Sequence, residues 1–436
     1  MWGTVEAAAD GSISWHADAG VALGPILFEV DGVQLIVDAA APENIVALAA
    51  VDADKLRSVA HWFTDPAVIA TIAAADDGTE TEGPVAGDAV RRVATVEAVD
   101  SLVLSDLDEG VLLLDHAFAA TTAGNLGRGA EHFMLASVVA DRMVTEIADH
   151  DYLGPLNSRL LEAVLAAPEG TFPDGDRTEY ISILRGRLDR TDGPWRTFVE
   201  ASASGELALT LGEAQSVSAQ IADLRLVPRR LLTFGGPDVP EVTITNGDDE
   251  VTLSAQLRPS VDVDGAEANE VFAVVADEET GELLSHAPAR VVGDRVEATV
   301  ALHGIDPDTV RCALVGSEVN IDSVRLDEIG TRIAGIDRQC RFAWSEHRRA
   351  GALLASVSAS STEAEVEKVA RAASRARKSA EREVKSAAKR ASRLSGTAGL
   401  NQYAAAVTWL SDRLAEAPAT DGPTGPTIAE LYAVAY

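Results

Sequence analysis

Between Ser360 and Leu394 the apolar and basic positions separate onto two rows, each with steps of three or four residues. Val366, Val369, Ala373, Ala376, Ala380, Val384, Ala387, Ala391 and Leu394 form one row. Lys368, Arg371, Arg375, Lys378, Arg382, Lys385, Lys389 and Arg393 form the other. At the helical angular step the two rows lie roughly 170° apart, so the spacing predicts a helix with a small-residue seam opposite a cationic stripe about 38 Å long. Ala, Arg, Lys and Glu are strong helix formers, and neither Pro nor Gly interrupts them. Ser360 with Glu363, or Thr362 with Glu365, supplies a capping box, and Gly396 and Gly399 end the run. The seam is nearly heptad, with one four-four step at Ala376–Ala380–Val384, which permits imperfect coiled-coil packing.

The same reading along the rest of the chain predicts an α+β multidomain protein. Residues 1–88 form a small α+β unit. Ile26–Val30 and Val33–Val37 flank Asp31-Gly32, a type I′ hairpin signal, and Ser12–Trp15 adds a strand. Helices follow at Ala53–Phe63 and Pro66–Ala74, the second capped by Asp65, and Asp76–Asp88 is a linker or exposed loop. Residues 89–223 are mainly helical: Glu131–Ile147, Leu156–Ala166 and Asp176–Arg190 carry helical patterns, Glu206–Ala214 is ambiguous, and short strands are expected at Ser101–Leu104 and Val111–Leu114 around Asp108-Glu109-Gly110. Residues 224–318 alternate with period two. Val242–Ile244 and Val251–Leu253 surround Asn246-Gly247-Asp248-Asp249, and further strands are expected at 271–275, 283–284, 290–292, 296–302 and 309–315. That pattern predicts an antiparallel immunoglobulin-like β-sandwich. Residues 319–417 form a helical arm. A helix at Arg341–Ser356 leads into the basic helix, and Gln402–Ala415 folds back over its seam as a helical hairpin. Residues 418–436 are a linker and an apolar tail, in which Thr427 and Glu430 make a second capping-box pattern.

Charge sharpens this picture. The segment Lys368–Arg393 holds ten Lys/Arg and two Glu, a net of +8 in a chain of −33, leaving −41 for the remainder. Four of the five lysines fall in that segment. A chain 47% hydrophobic and 24% charged is globular in composition. The two cysteines, 28 residues apart and without a CxxC pattern, predict free thiols in a reducing, cytoplasmic setting. The first ten residues show no signal peptide, and no apolar run is long enough to span a membrane.

Recognised chemistry is sparse. GxSxG, HExxH, P-loop and kinase signatures are absent. Gly124–Gly129 lacks the residues of a phosphate loop, and Asp262–Glu267 lacks the ligands of an EF-hand. His61-Trp62 lies on a helix with apolar neighbours and reads as a satisfied core or rim pair. His116, His132 and His150 have acidic neighbours in Asp115, Glu131, Asp149 and Asp151, but only Glu146 and His150 share metal-ligand spacing. No catalytic, cofactor or metal residue is therefore assigned. The sequence predicts a non-enzymatic assembly or adaptor protein that contacts a protein partner or another copy through two surfaces. One is the stripe Lys368, Arg371, Arg375, Lys378, Arg382, Lys385, Lys389 and Arg393. The other is the tail, through Ile428, Leu431, Tyr432 and Tyr436. Binding of nucleic-acid phosphates to the stripe is one alternative. A hydrolase or transferase site between His116 and His150 is the other.

Overall fold

A computed structural model describes residues 1–18, 21–150, 155–173, 175–188, 219–220, 226–227, 230–233, 242–247, 249–258, 261, 263, 265–316, 319–321, 324, 326–357, 363–396 and 400–435. Glu206–Ala214, Ser360, Thr362, Gly399, Tyr436 and, in the Asp262–Glu267 turn, Asp262 and Asp264 lie outside those residues.

Six strands form the first sheet: β1 (Trp2–Ala7), β2 (Ile13–Ala17), β3 (Pro25–Val30), β4 (Val33–Asp38), β5 (Ala41–Ala50) and β6 (Glu80–Glu82). Their order is β3-β4-β5-β2-β1-β6, with every pairing antiparallel. Asp31 and Gly32 both take positive φ, 48° and 75°, as the hairpin turn requires. The acidic stretch after residue 76 was expected to be a linker throughout, yet Glu80–Glu82 adds the edge strand beside β1. Helices α1 (Ala53–Ser58) and α2 (Pro66–Ile72) follow the fifth strand.

Six helices then build the body: α3 (Asp88–Leu102), α4 (Glu109–Thr122), α5 (Leu126–Leu135), α6 (Ser137–His150), α7 (Pro155–Ala166) and α8 (Asp176–Leu188). The strands expected at 101–104 and 111–114 are not there. Ser101 and Leu102 end α3, and 111–114 lie inside α4. Asp108 is the cap of that helix, its side chain accepting from the Val111 N–H, and Val111, Leu112, Leu114 and Phe118 share the buried face. Capping and helical burial outweighed the strand propensity of the Val/Leu run. The long helix expected over 131–147 is two, broken at Ala136, and the first starts at Leu126 with Asn125 as its cap.

The β-rich segment forms two antiparallel sheets. One has the order β11-β10-β14, the other β12-β13-β9-β8-β7. The strands are β7 (Ala219–Gln220), β8 (Val242–Asn246), β9 (Glu250–Gln256), β10 (Val271–Asp277), β11 (Leu283–Pro288), β12 (Arg290–Val292), β13 (Arg295–Ala301) and β14 (Val310–Gly316). A one-turn helix, α9 (Ala266–Asn269), precedes the tenth strand. Leu253, Val296 and Val300 of one sheet share a core with Ala273, Val275 and Leu314 of the other. Buried Arg258 ties this segment to the helices by donating to the carbonyls of Val103, Leu104 and Ser105. Among the described residues, no sheet closes into a barrel.

Four helices complete the chain: α10 (Glu328–Ala355), α11 (Glu363–Leu394), α12 (Asn401–Ala415) and α13 (Ile428–Ala435). The tenth begins 13 residues before the expected Arg341, capped by Asp327. Gln339 bonds Ser386 and Arg390, whereas Ala350 packs with Ala373 and Ala376, so α11 runs antiparallel to α10. Val384, Ala387, Ala391 and Leu394 join Val407, Leu410 and Leu414 in a core that reaches the N-terminal sheet. Among the described residues, no helix is long and apolar enough to cross a membrane.

Candidate functional site: a cationic helix face

Small side chains decide how the basic helix sits. Val369, Ala373, Ala376, Ala380, Val384, Ala387, Ala391 and Leu394 are all buried, while Val366, at the start of the seam, is 39% exposed. Alanine buries little area, but it lets α10 approach along the whole contact, and that docking fixes which way the opposite face points.

The opposite face is the stripe. Arg371, Arg375, Lys378, Arg382, Lys385, Lys389 and Arg393 are exposed, and Lys368 is half-buried. Three ion pairs along it lie within the helix: Arg371–Glu367 at 3.3 Å, Arg382–Glu383 at 2.8 Å and Lys385–Glu381 at 3.4 Å. Among the described residues, Arg375, Lys378, Lys389 and Arg393 have no carboxylate partner. The two remaining cations of the segment turn inward to the flanks, Arg377 towards the Ala415 carbonyl and Arg390 onto Gln339. Successive stripe residues lie one turn apart with like charge. Each such step costs a few tenths of a kcal/mol, on the order of 1–3 kcal/mol over the stripe at low salt. Helix stability therefore does not account for the arrangement.

The tail is placed differently. Ile428 and Leu431 are buried on the chain's own helices. The N–H groups of Ile428 and Ala429 donate to the two oxygens of Asp115, each at 2.8 Å, and the Thr427/Glu430 capping box closes as its sequence suggests. Arg348 grips Glu430 at 2.8 Å and the carbonyls of Thr424 and Gly425. The Tyr432 hydroxyl donates to Glu146 at 3.3 Å. Burial raises the Asp115 carboxyl to about 6, against the lowering effect of the two N–H donors.

The histidines gather one further cluster. His116 on α4 faces Glu97 and Asp100 of α3, with its Nδ1 3.6 Å from the first and its Nε2 3.4 Å from the second. Burial opposes charging the ring, but the Asp100 bond and the charges of Glu97, Asp100 and Asp115 outweigh it and raise its pKa. His132 meets it edge-on at 5.8 Å and is shifted down by burial and by its cationic neighbours. The three ligand-type atoms lie close enough for a cation. However, Arg128 stands 3.8 Å from Glu97 and Arg230 3.9 Å from Asp100, so two guanidiniums already balance two carboxylates. Both ring nitrogens face acids, which suits an ionic tie between helices better than a general base. Sequence reasoning sought His116 partners on its own helix. The missed signal was Glu97-x-x-Asp100, two acids one turn apart on the preceding helix. The His61-Trp62 pair sits in a short turn, the indole N–H donating to Asp31.

No protein-family model matches the chain, and no curated protein or solved structure matches it either.

Proposed function

We propose that the chain is a non-enzymatic assembly or adaptor protein whose basic helix docks on an acidic protein surface, either of a partner or of another copy. One observation carries the reading. Four exposed cations, Arg375, Lys378, Lys389 and Arg393, stand in a row with no carboxylate partner among the described residues, on a helix whose other side is buried from Val369 to Leu394. A surface that costs stability and leaves half of its cations without an internal carboxylate is a binding surface in waiting. With a Debye length of about 8 Å at physiological salt, a partner lying along the stripe feels those cations directly, while the acidic remainder acts through screening. A second copy also brings a −33 chain of its own, so acidic surface is available wherever the protein is concentrated.

Several coarser features fit this reading. We take the two sheets around one core as an immunoglobulin-like sandwich, and the basic helix with its successor as a hairpin, both serving as scaffold. The two buried free thiols suit a cytoplasmic setting. Since the tail is used inside the molecule, the stripe is left as the principal contact.

Changing Arg375, Lys378, Arg382 and Lys385 together to Glu is expected to abolish association by light scattering and by pull-down with a purified partner. An unchanged mass and unchanged pull-down would overturn the proposal. A gel-shift titration across salt separates the nucleic-acid alternative, because phosphate contacts weaken steeply as salt rises.

A further inference from the structure

Two arginines from different helices meet beside the turn that leads into α13. Arg92 of α3 and Arg159 of α7 line one cleft with Val96, Phe118, Pro423 and Pro426. The cleft encloses about 10 Å³, room for a single water-sized group, and opens to solvent beyond it.

Arg92 is the unspent member of the pair. It is half-buried, yet among the described residues it has no hydrogen-bond or ion-pair partner. Its guanidinium carbon lies 4.7 Å from the centre of the Phe118 ring, which steadies the charge and leaves its five N–H donors unused. Its nitrogens are not sealed in protein, so a ligand oxygen can reach them. Arg159 is partly spent. Its Nη2 donates to the Gly422 carbonyl at 3.2 Å, and its Nη1 lies 3.4 Å from Glu162.

The neighbouring acids are already engaged. Asp115 accepts the Ile428 and Ala429 N–H groups, Asp88 faces Arg91 at 3.7 Å, and Glu162 serves Arg159. One positive charge, that of Arg92, is left over. Burial first and then Arg159 lower the Arg92 pKa, against the raising effect of Glu162, Asp115 and Asp88. Two like charges drawn into one cleft with apolar walls favour an anion between them. The donor count says which kind. A carboxylate uses two N–H groups of one fork, whereas the five of Arg92 together with the flank of Arg159 suit the three oxygens of a phosphate group.

We propose that this cleft binds a phosphate group, with Arg92 as its principal ligand and Arg159 as the second donor. One phosphate oxygen fills the enclosed space and the others lie at its mouth. The group is therefore either the free ion or the end of a larger molecule. This inference rests on residues other than those of the cationic stripe.

Phosphorus NMR and calorimetry on the full chain test it at constant ionic strength, with inorganic phosphate, phenyl phosphate and acetate as probes. The variant with Arg375, Lys378, Arg382 and Lys385 changed to Glu serves as the background, because it weakens phosphate binding to the stripe. Saturable binding of one phosphate per chain is expected there, tighter than that of acetate. Arg92→Gln should lower the affinity about tenfold or more, and Arg92→Lys, which keeps the charge without the fork, should lower it less. Phenylglyoxal modification of the native chain, read by peptide mapping, needs no variant, and phosphate should protect Arg92 from it. Tighter binding of phenyl phosphate assigns the site to a phosphorylated molecule and equal binding to the free ion; either supports the site. The proposal is overturned by an absence of saturable phosphate binding, by binding that Arg92→Gln leaves unchanged, by a preference for acetate, or by a failure of phosphate to protect Arg92.

Discussion

Asp115 shows how one side chain can hold two ends of a chain together. It sits on α4, 313 residues from the tail it caps, and it is fully enclosed. Because burial raises its carboxyl to about 6, the seated state holds a proton more tightly than the free carboxyl does. Its contribution is complete below the ordinary carboxylate range and fades as pH rises through about 6. Asp38, raised to about 6 chiefly by burial, has the same sign. Between pH 8 and 5 these two carboxyls therefore favour the folded state as pH falls, against His347, whose lowered pKa has the opposite sign. Asp115→Asn is expected to give a lower urea midpoint at pH 5 relative to pH 8 than the native chain shows. A variant as pH-sensitive as the native chain would contradict the assignment. At this scale the sequence was partly readable. The Thr427/Glu430 box is a local pattern and appears as such. Asp115 and Glu97 gain their roles from residues on other helices, so no local spacing could announce them.

Elements were most readable where their pattern is long. The basic helix spans 32 residues with two unbroken rows, so its existence and the outward direction of its cations follow from periodicity alone. Short apolar runs were not so well determined. Val111–Leu114 fits a strand or a buried helix turn, and the Asp108 cap decides for the helix. The stripe also makes a prediction of its own. Lys378→Gln, Lys385→Gln and Lys389→Gln together keep helix propensity while removing like-charge steps. The triple variant is expected to be more stable at low salt by about 1 kcal/mol, with the gain vanishing in high salt. A loss of stability in equilibrium unfolding would mean that these lysines hold the helix in place.

At the scale of the whole molecule, the ends of the sequence meet. Arg413, near the close of α12, reaches Glu43 and the Ala40 carbonyl of the first sheet, and Ile428 shares a core with Val5 and Trp15. Such partnerships span hundreds of residues and leave no trace in local patterning, which is why the order of elements could be read but not their mutual contacts. The distribution of amines has a practical consequence. With five lysines in the chain, four on the basic helix and the other at Lys55, primary-amine reagents address almost a single strip of the protein. An amine-directed reagent is thus expected to modify the native chain chiefly at Lys378, Lys385 and Lys389, as peptide mapping would show. Acetylation of those same few nitrogens would erase most of the strip's ammonium character in one stroke, leaving its arginines to carry the charge.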